Sequence, residues 1–248
     1  VSRAEARRGP DAIAIREVRG GRTRRTITRA ALEARVAAVA AGLAAEGFVR
    51  GDRVLFSVRP GIDAIALVLA VRRLGGVLLP QDPGTADALF EARRQLLAPR
   101  WVMAESLLLA HPSGLLARLL ALRGVRLAPL GGVRGAGCIR VGPWLPGLPR
   151  ARSLEALVAV GRVHATTADA ATTTRTGGAT AASHTRDVTV DAAAPDAEAF
   201  IVCTSGTTAA PRAVVHTNRS LRAILSVVAH ELALTADDVV CTRELHIV

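Results

Sequence analysis

The stretch 203–217, CTSGTTAAPRAVVHT, sets hydroxyl residues, a glycine and an arginine directly after the apolar segment AFIV. Thr204, Ser205, Thr207 and Thr208 bring four hydroxyls into five residues, with Gly206 among them. A turn of this make-up can surround phosphate oxygens with hydroxyl and main-chain N–H donors, as a backbone nest does. Arg212 adds a permanent positive charge and a two-pronged donor. The Walker arrangement places a helix after GxxxxGK[ST], whereas AVVHT (213–217) reads as a strand, so no helix dipole points at the phosphates. The donors must then be hydroxyls, main-chain amides and Arg212. The same residues also suit a plain Ser/Thr-rich turn between two strands, and the stretch alone leaves both readings open.

The elements that would position this loop follow an alternating pattern. Residues 13–27 read as two short strands around Gly20-Gly21. Thr28 is a plausible N-cap for a helix carrying Leu32, Val36, Val39 and Leu43 at helical spacing, closed by Gly47. RVLFSV (53–58) is a strand, 62–74 a helix stopped by Gly75-Gly76, and VLLPQD (77–82) a strand. A helix around 85–97 and the strand WVMAE (101–105) follow. This alternation predicts an α/β fold, layered α/β/α, with a mostly parallel sheet whose site lies at the carboxyl ends of the strands.

Beyond residue 125 the pattern weakens. Residues 129–150 are rich in Gly and Pro and read as loop. From Thr166 to Pro195 the chain is dominated by Thr, Ala and Asp and reads as a flexible linker or surface insertion. EAFIVCT (198–204) and AVVHT then read as strands, and RSLRAILSVVAHEL as a helix with an apolar stripe at Leu221, Ile224, Leu225, Val228 and Leu232. Asp237-Asp238 reads as a loop before a strand VVCT. His216 and Asn218 suit a strand end and a helix cap. The expected divisions are a first α/β subdomain over 1–163, a linker over 164–197, and the start of a second subdomain over 198–248.

Composition narrows the function classes. Half of the 248 residues are apolar, which argues against disorder throughout. Apolar runs such as IDAIALVLAV are about half the ~20 residues that span a bilayer. The first ten residues, VSRAEARRGP, are followed by no apolar core of the signal-peptide kind, so the expectation is a cytoplasmic protein without a membrane span. Cys138, Cys203 and Cys241 have neither metal-ligand spacing nor disulfide density and read as small apolar residues. The net charge is +11, all of its basic residues being arginine. These arginines are scattered, and four Phe and two Trp offer little to stack on bases, so nucleic acid is not the expected partner.

TSGTTAAPRAV resembles the phosphate-loop signature of the adenylate-forming (AMP-binding) ligases, usually TSGTTGxPKGV. This superfamily includes acyl-CoA synthetases and peptide-synthetase adenylation domains. RTITRAALEARVAAVAAGLAAEGFVRGDRVLF is similar to the family's opening, which ends in GDRV, and GIDAIALVLAVRRLGGVLLPQDP to the stretch ending in P-x-D-P. DPG at 82–84, AESLLLA and GPWLPGLP are similar to the olefin β-lactone synthetase and fatty acyl ligase branch. The chain departs from the signature at Ala209, Arg212 and Ala213, where the family usually has Gly (or Ser), Lys and Gly. If position 209 needs positive φ, alanine there is strained by about 1 kcal/mol or more.

The resemblance implies ATP-dependent activation of a small-molecule carboxylate, with Mg²⁺, to an acyl-adenylate and pyrophosphate. Transfer to an acceptor follows, coenzyme A being one that the resemblance allows. It implies that Thr204, Ser205, Gly206, Thr207, Thr208 and Arg212 cradle the β- and γ-phosphates, one hydroxyl approaching the Mg²⁺. His246 stands where the family often carries a His lining the adenylate and acyl pocket; as a residue it equally suits the surface. In the family the ribose-binding Asp, the hinge and the lid with its lysine come later than the segment matched here. The resemblance therefore suggests the N-terminal portion of a ligase, inactive without its lid, the alternative being a non-catalytic nucleotide- or partner-binding remnant.

Overall fold

The computed structural model describes residues 9–110, 128, 130–133, 135–173, 194–204, 212–235 and 238–241. A hairpin opens the chain: β1 (Ile13–Arg19) and β2 (Arg22–Thr28) pair antiparallel around Gly20 and Gly21, both at positive φ. Helix α1 (Arg29–Ala45) starts where the sequence predicts, the Thr28 hydroxyl accepting from the Ala31 N–H at 3.2 Å. Gly47, at φ +88°, follows its end.

Two strand–helix–strand crossovers then lay down β3 (Arg53–Ser57), α2 (Ile62–Arg73), β4 (Val77–Pro80), α3 (Asp87–Leu97) and β5 (Trp101–Glu105). The second half adds β6 (Gly137–Val141), β7 (Arg152–Ser153), α4 (Leu154–Thr173), β8 (Glu198–Cys203), β9 (Ala213–Thr217) and α5 (Asn218–Glu231). The seven-stranded sheet runs β7-β6-β5-β3-β4-β8-β9, parallel throughout except for the antiparallel edge strand β9.

Alternate strand residues feed two apolar layers. One face sends Val54, Leu78, Trp101, Met103 and Ile139 against Val36, Val39 and Leu43 of α1, Leu67 and Val71 of α2, and Leu157 and Val158 of α4. The other sends Leu55, Val102 and Ala104 against Phe90 of α3, and Val77, Leu79 and Ile201 against Leu97. The architecture is the expected layered α/β/α. No described helix is long and apolar enough to cross a membrane.

An ion-pair network ties the hairpin to the helical layer. Asp63 at the start of α2 accepts from Arg25 of β2 and from Arg35 of α1, each at 2.8 Å, and Arg35 also reaches Glu155 of α4. Burial would raise the Asp63 carboxyl, but the Arg25 hydrogen bond and the charges of Arg25 and Arg35 hold it below the usual range. A depressed folded-state pKa means that the unfolded chain binds the extra proton. The stabilisation is therefore complete above about pH 4 and disappears as pH falls through the folded value. Asp63→Asn should flatten the acid limb of a stability profile taken from pH 6 to pH 2.5 by urea unfolding. A limb as steep as that of the unmodified chain would remove this carboxylate from the account.

Several segments differ from the sequence reading. Within 129–150, read as loop, GCIRV is the strand β6. It is short and bears little pattern, but β5 offers five residues of parallel pairing. Residues 166–173, read as linker, continue α4, since alanine-rich sequence prolongs a helix whose first turns are anchored by packing. The linker reading for 174–193 lies outside the described residues. β8 and β9 extend the same sheet as β3–β7, so residue 198 does not open a separate sheet. Val239, Val240 and Cys241 form no strand and are exposed, having no strand edge beside them among the described residues. The α5 stripe is exposed too, Leu225 and Leu232 at 65 % each, because no described element lies over it.

Candidate phosphate-binding site

β8 carries the loop to the carboxyl edge of the parallel strands, and β9 brings the chain back. The neck of this hairpin is closed by the Thr204 N–H donating to the Arg212 carbonyl at 2.9 Å. The Thr204 hydroxyl lies 3.5 Å from that same carbonyl oxygen. Both residues are exposed, so the hydroxyl and the Arg212 guanidinium stand in solvent at the loop's mouth. Ser205, Gly206, Thr207 and Thr208 lie outside the described residues, as does His246, so the structure brings together Thr204 and Arg212 of the predicted set.

A third residue joins them that the sequence reading passed over. Arg93, on the second turn of α3, donates to the Thr204 carbonyl at 3.3 Å. It arrives there because Phe90 anchors α3 against β3 and β5 and Leu97 anchors it against β4 and β8. In the sequence Arg93 is one of an arginine pair on an amphipathic helix, and nothing local separates it from its neighbour. Arg94 is satisfied by Glu91 at 2.5 Å.

Other side chains with chemical potential are engaged structurally. Burial pushes the Cys138 thiol up to about 11. It raises Cys203 as well, against an opposing pull from the Arg93 charge, so neither supplies a ready thiolate. Asn218 does not cap α5: the Thr217 hydroxyl does, accepting from the Ser220 N–H at 3.3 Å. Asn218 is instead buried and accepts from Arg72 through its Oδ1. Asp238 is occupied by the Thr235 N–H and hydroxyl. His164, His216 and His230 are dispersed over α4, β9 and α5. Among the described residues no three His, Cys, Asp or Glu side chains gather as a metal site.

A cleft of about 150 Å³ among the described residues lies elsewhere, lined by Arg50, Gly51, Arg72, Gly75, Val77 and Glu198 among others. It sits at the amino ends of the strands, the wrong end of a parallel sheet for a ligand site. Its Arg72, whose pKa burial lowers, already serves the Gly76 carbonyl and Asn218. This cleft is a seam between α2 and the β8–α5 unit.

A family model described as AMP-binding enzyme matches residues 2–245. The chain belongs to the AMP-binding enzyme family. Within this adenylate-forming family it is 45 % identical over 78 residues to a hybrid PKS-NRPS synthetase of Thermothelomyces thermophilus, 32 % of this chain and 2 % of that one. It is 42 % identical over 86 residues to the olefin beta-lactone synthetase of Xanthomonas campestris, 32 % of this chain and 15 % of that one. The Brucella canis acyl-CoA synthetase structure aligns over 93 % of this chain and 35 % of its own, with TM-score 0.60 and 19 % identity, which shows a shared fold. The chain thus spans only a small part of the curated relatives it matches.

Proposed function

We propose that this chain carries the polyphosphate-gripping part of an AMP-forming acyl ligase, an enzyme that activates a carboxylate with ATP. The observation that carries the reading is the neck itself: a hydroxyl-rich hairpin pinned at Thr204 and Arg212 on the carboxyl edge of a parallel sheet. In the reaction a substrate carboxylate oxygen attacks the α-phosphorus, the bond from that phosphorus to the α,β-bridging oxygen breaks, and an acyl-adenylate forms as pyrophosphate leaves. Arg212 stabilises the charge that builds on the departing phosphates, and the hydroxyls of Thr204, Ser205, Thr207 and Thr208 hold their oxygens. Bound Mg²⁺ would add charge neutralisation on the same phosphates. No carboxylate cluster gathers among the described residues. A fatty or other acyl acid is the proposed substrate, with coenzyme A or another acceptor and His246 beside the adenylate.

ATP or pyrophosphate at about a hundred times Kd should stabilise the folded chain by about 2.7 kcal/mol. For a chain of this size that is a rise in Tm of about 5–10 °C. Arg212→Ala should remove most of the rise. An undiminished shift in this variant would place the phosphates elsewhere.

A further inference from the structure

We propose that Arg93 is a second phosphate-binding cation of this site, acting on the anionic ligand together with Arg212. The inference rests on the reading of the neck as a polyphosphate site and adds a residue from outside the loop. Three observations converge on it. Arg93 reaches the Thr204 carbonyl with one terminal nitrogen, which places its charge at the mouth of the hairpin. Its Nε is buried and has no hydrogen-bond partner. No carboxylate pairs with it among the described residues, although its neighbour Arg94 is paired within α3.

A half-buried guanidinium with an unused donor, and with no carboxylate beside it among the described residues, is well placed to receive an anion. One neutral carbonyl satisfies one of its five N–H groups. The opposing effect of the Arg93 charge on the Cys203 thiol shows that its field reaches the end of β8. Arg93 and Arg212 come from different elements, one on a helix held by the core and one on the hairpin. A ligand held by both meets two cations, which suits the higher negative charge of a di- or triphosphate better than that of a monophosphate. Arg93 also contributes a cation from a rigid element, where the loop alone would hold the phosphates only by its own turn.

The test is calorimetric titration of the full chain with pyrophosphate, ATP and AMP, using Arg93→Gln, Arg93→Lys, Arg212→Ala and, as a distant control, Arg22→Gln on the opening hairpin. Arg93→Gln should weaken pyrophosphate and ATP about tenfold or more, as expected for a lost charge-assisted hydrogen bond. AMP should change little, Arg93→Lys should recover part of the loss, and Arg22→Gln should bind as the unmodified chain. If Arg93→Gln binds normally while Arg212→Ala does not, the inference falls and the site stands. Equal weakening of all three ligands, with no rescue by lysine, would make Arg93 a support for Thr204 and also overturn it. If the unmodified chain binds neither pyrophosphate nor ATP, the site itself is wrong and the inference falls with it.

Discussion

Gly161→Ala should destabilise the chain by about 3 kcal/mol or more, lowering Tm by about 10 °C. The reason is the crossing of α1 and α4. A Cβ at Gly161 would lie 1.8 Å from the Ala38 carbonyl oxygen and 2.8 Å from the Gly42 nitrogen. Gly42 makes the reciprocal approach, its Cβ falling 2.3 Å from the Leu157 carbonyl oxygen. Both obstacles are backbone, so no side chain can swing aside. The helices must separate, opening the layer formed by Val36, Val39, Leu43, Leu157 and Val158. Intrinsic helix propensity alone has the opposite sign, since alanine in a helix interior is favoured over glycine by about 1 kcal/mol. Thermal unfolding of Gly161→Ala and Gly42→Ala therefore decides between the two effects. A raised or unchanged Tm would show that the helices are not in backbone contact.

Asp52→Ala is the second large effect, on the order of 3 kcal/mol. Asp52 is the acid of the GDRV motif, and its carboxylate joins three elements. It accepts from the Val49 N–H at 2.9 Å, from the Trp101 indole N–H at 2.9 Å and from Arg100 at 3.0 Å. Residue and indole are both buried, so alanine leaves the Trp101 donor without a partner in the interior. Trp101 also packs on Phe48, with ring centroids 5.4 Å apart, so a loosened indole would disturb the turn before β3. Urea unfolding measures the loss. A red shift of native fluorescence would report the site, because the other tryptophan, Trp144, is already 66 % exposed. Unchanged stability would mean that the Asp52 carboxylate does not act as this clamp. Asp52→Asn keeps one acceptor and should fall between the two.

The sequence by itself determined the elements whose pattern is local. The hairpin at Gly20-Gly21, the Thr28 cap, and the alternation from β3 to β5 follow from turn chemistry, capping and apolar periodicity, which need no distant partner. It also marked the hydroxyl loop, because four hydroxyls and an arginine after an apolar strand are unusual material for a turn. The loop's place at the carboxyl edge followed from the parallel alternation.

Tertiary structure decided what depends on partners far along the chain. β6 is a strand because β5 lies beside it, and five weakly patterned residues cannot reveal that. Gly42 and Gly161 look like ordinary interruptions of two helices; only their facing each other at a crossing makes them indispensable. Asn218 reads as a cap, and becomes a buried partner of Arg72 because α2 ends beneath α5. Arg93 and Arg94 are indistinguishable in sequence, yet Arg94 is neutralised within its own helix while Arg93 meets Thr204, 111 residues away. Charge acquires a role only when folding fixes its counter-ion, and that pairing is set by packing across the sheet rather than by neighbours in the chain.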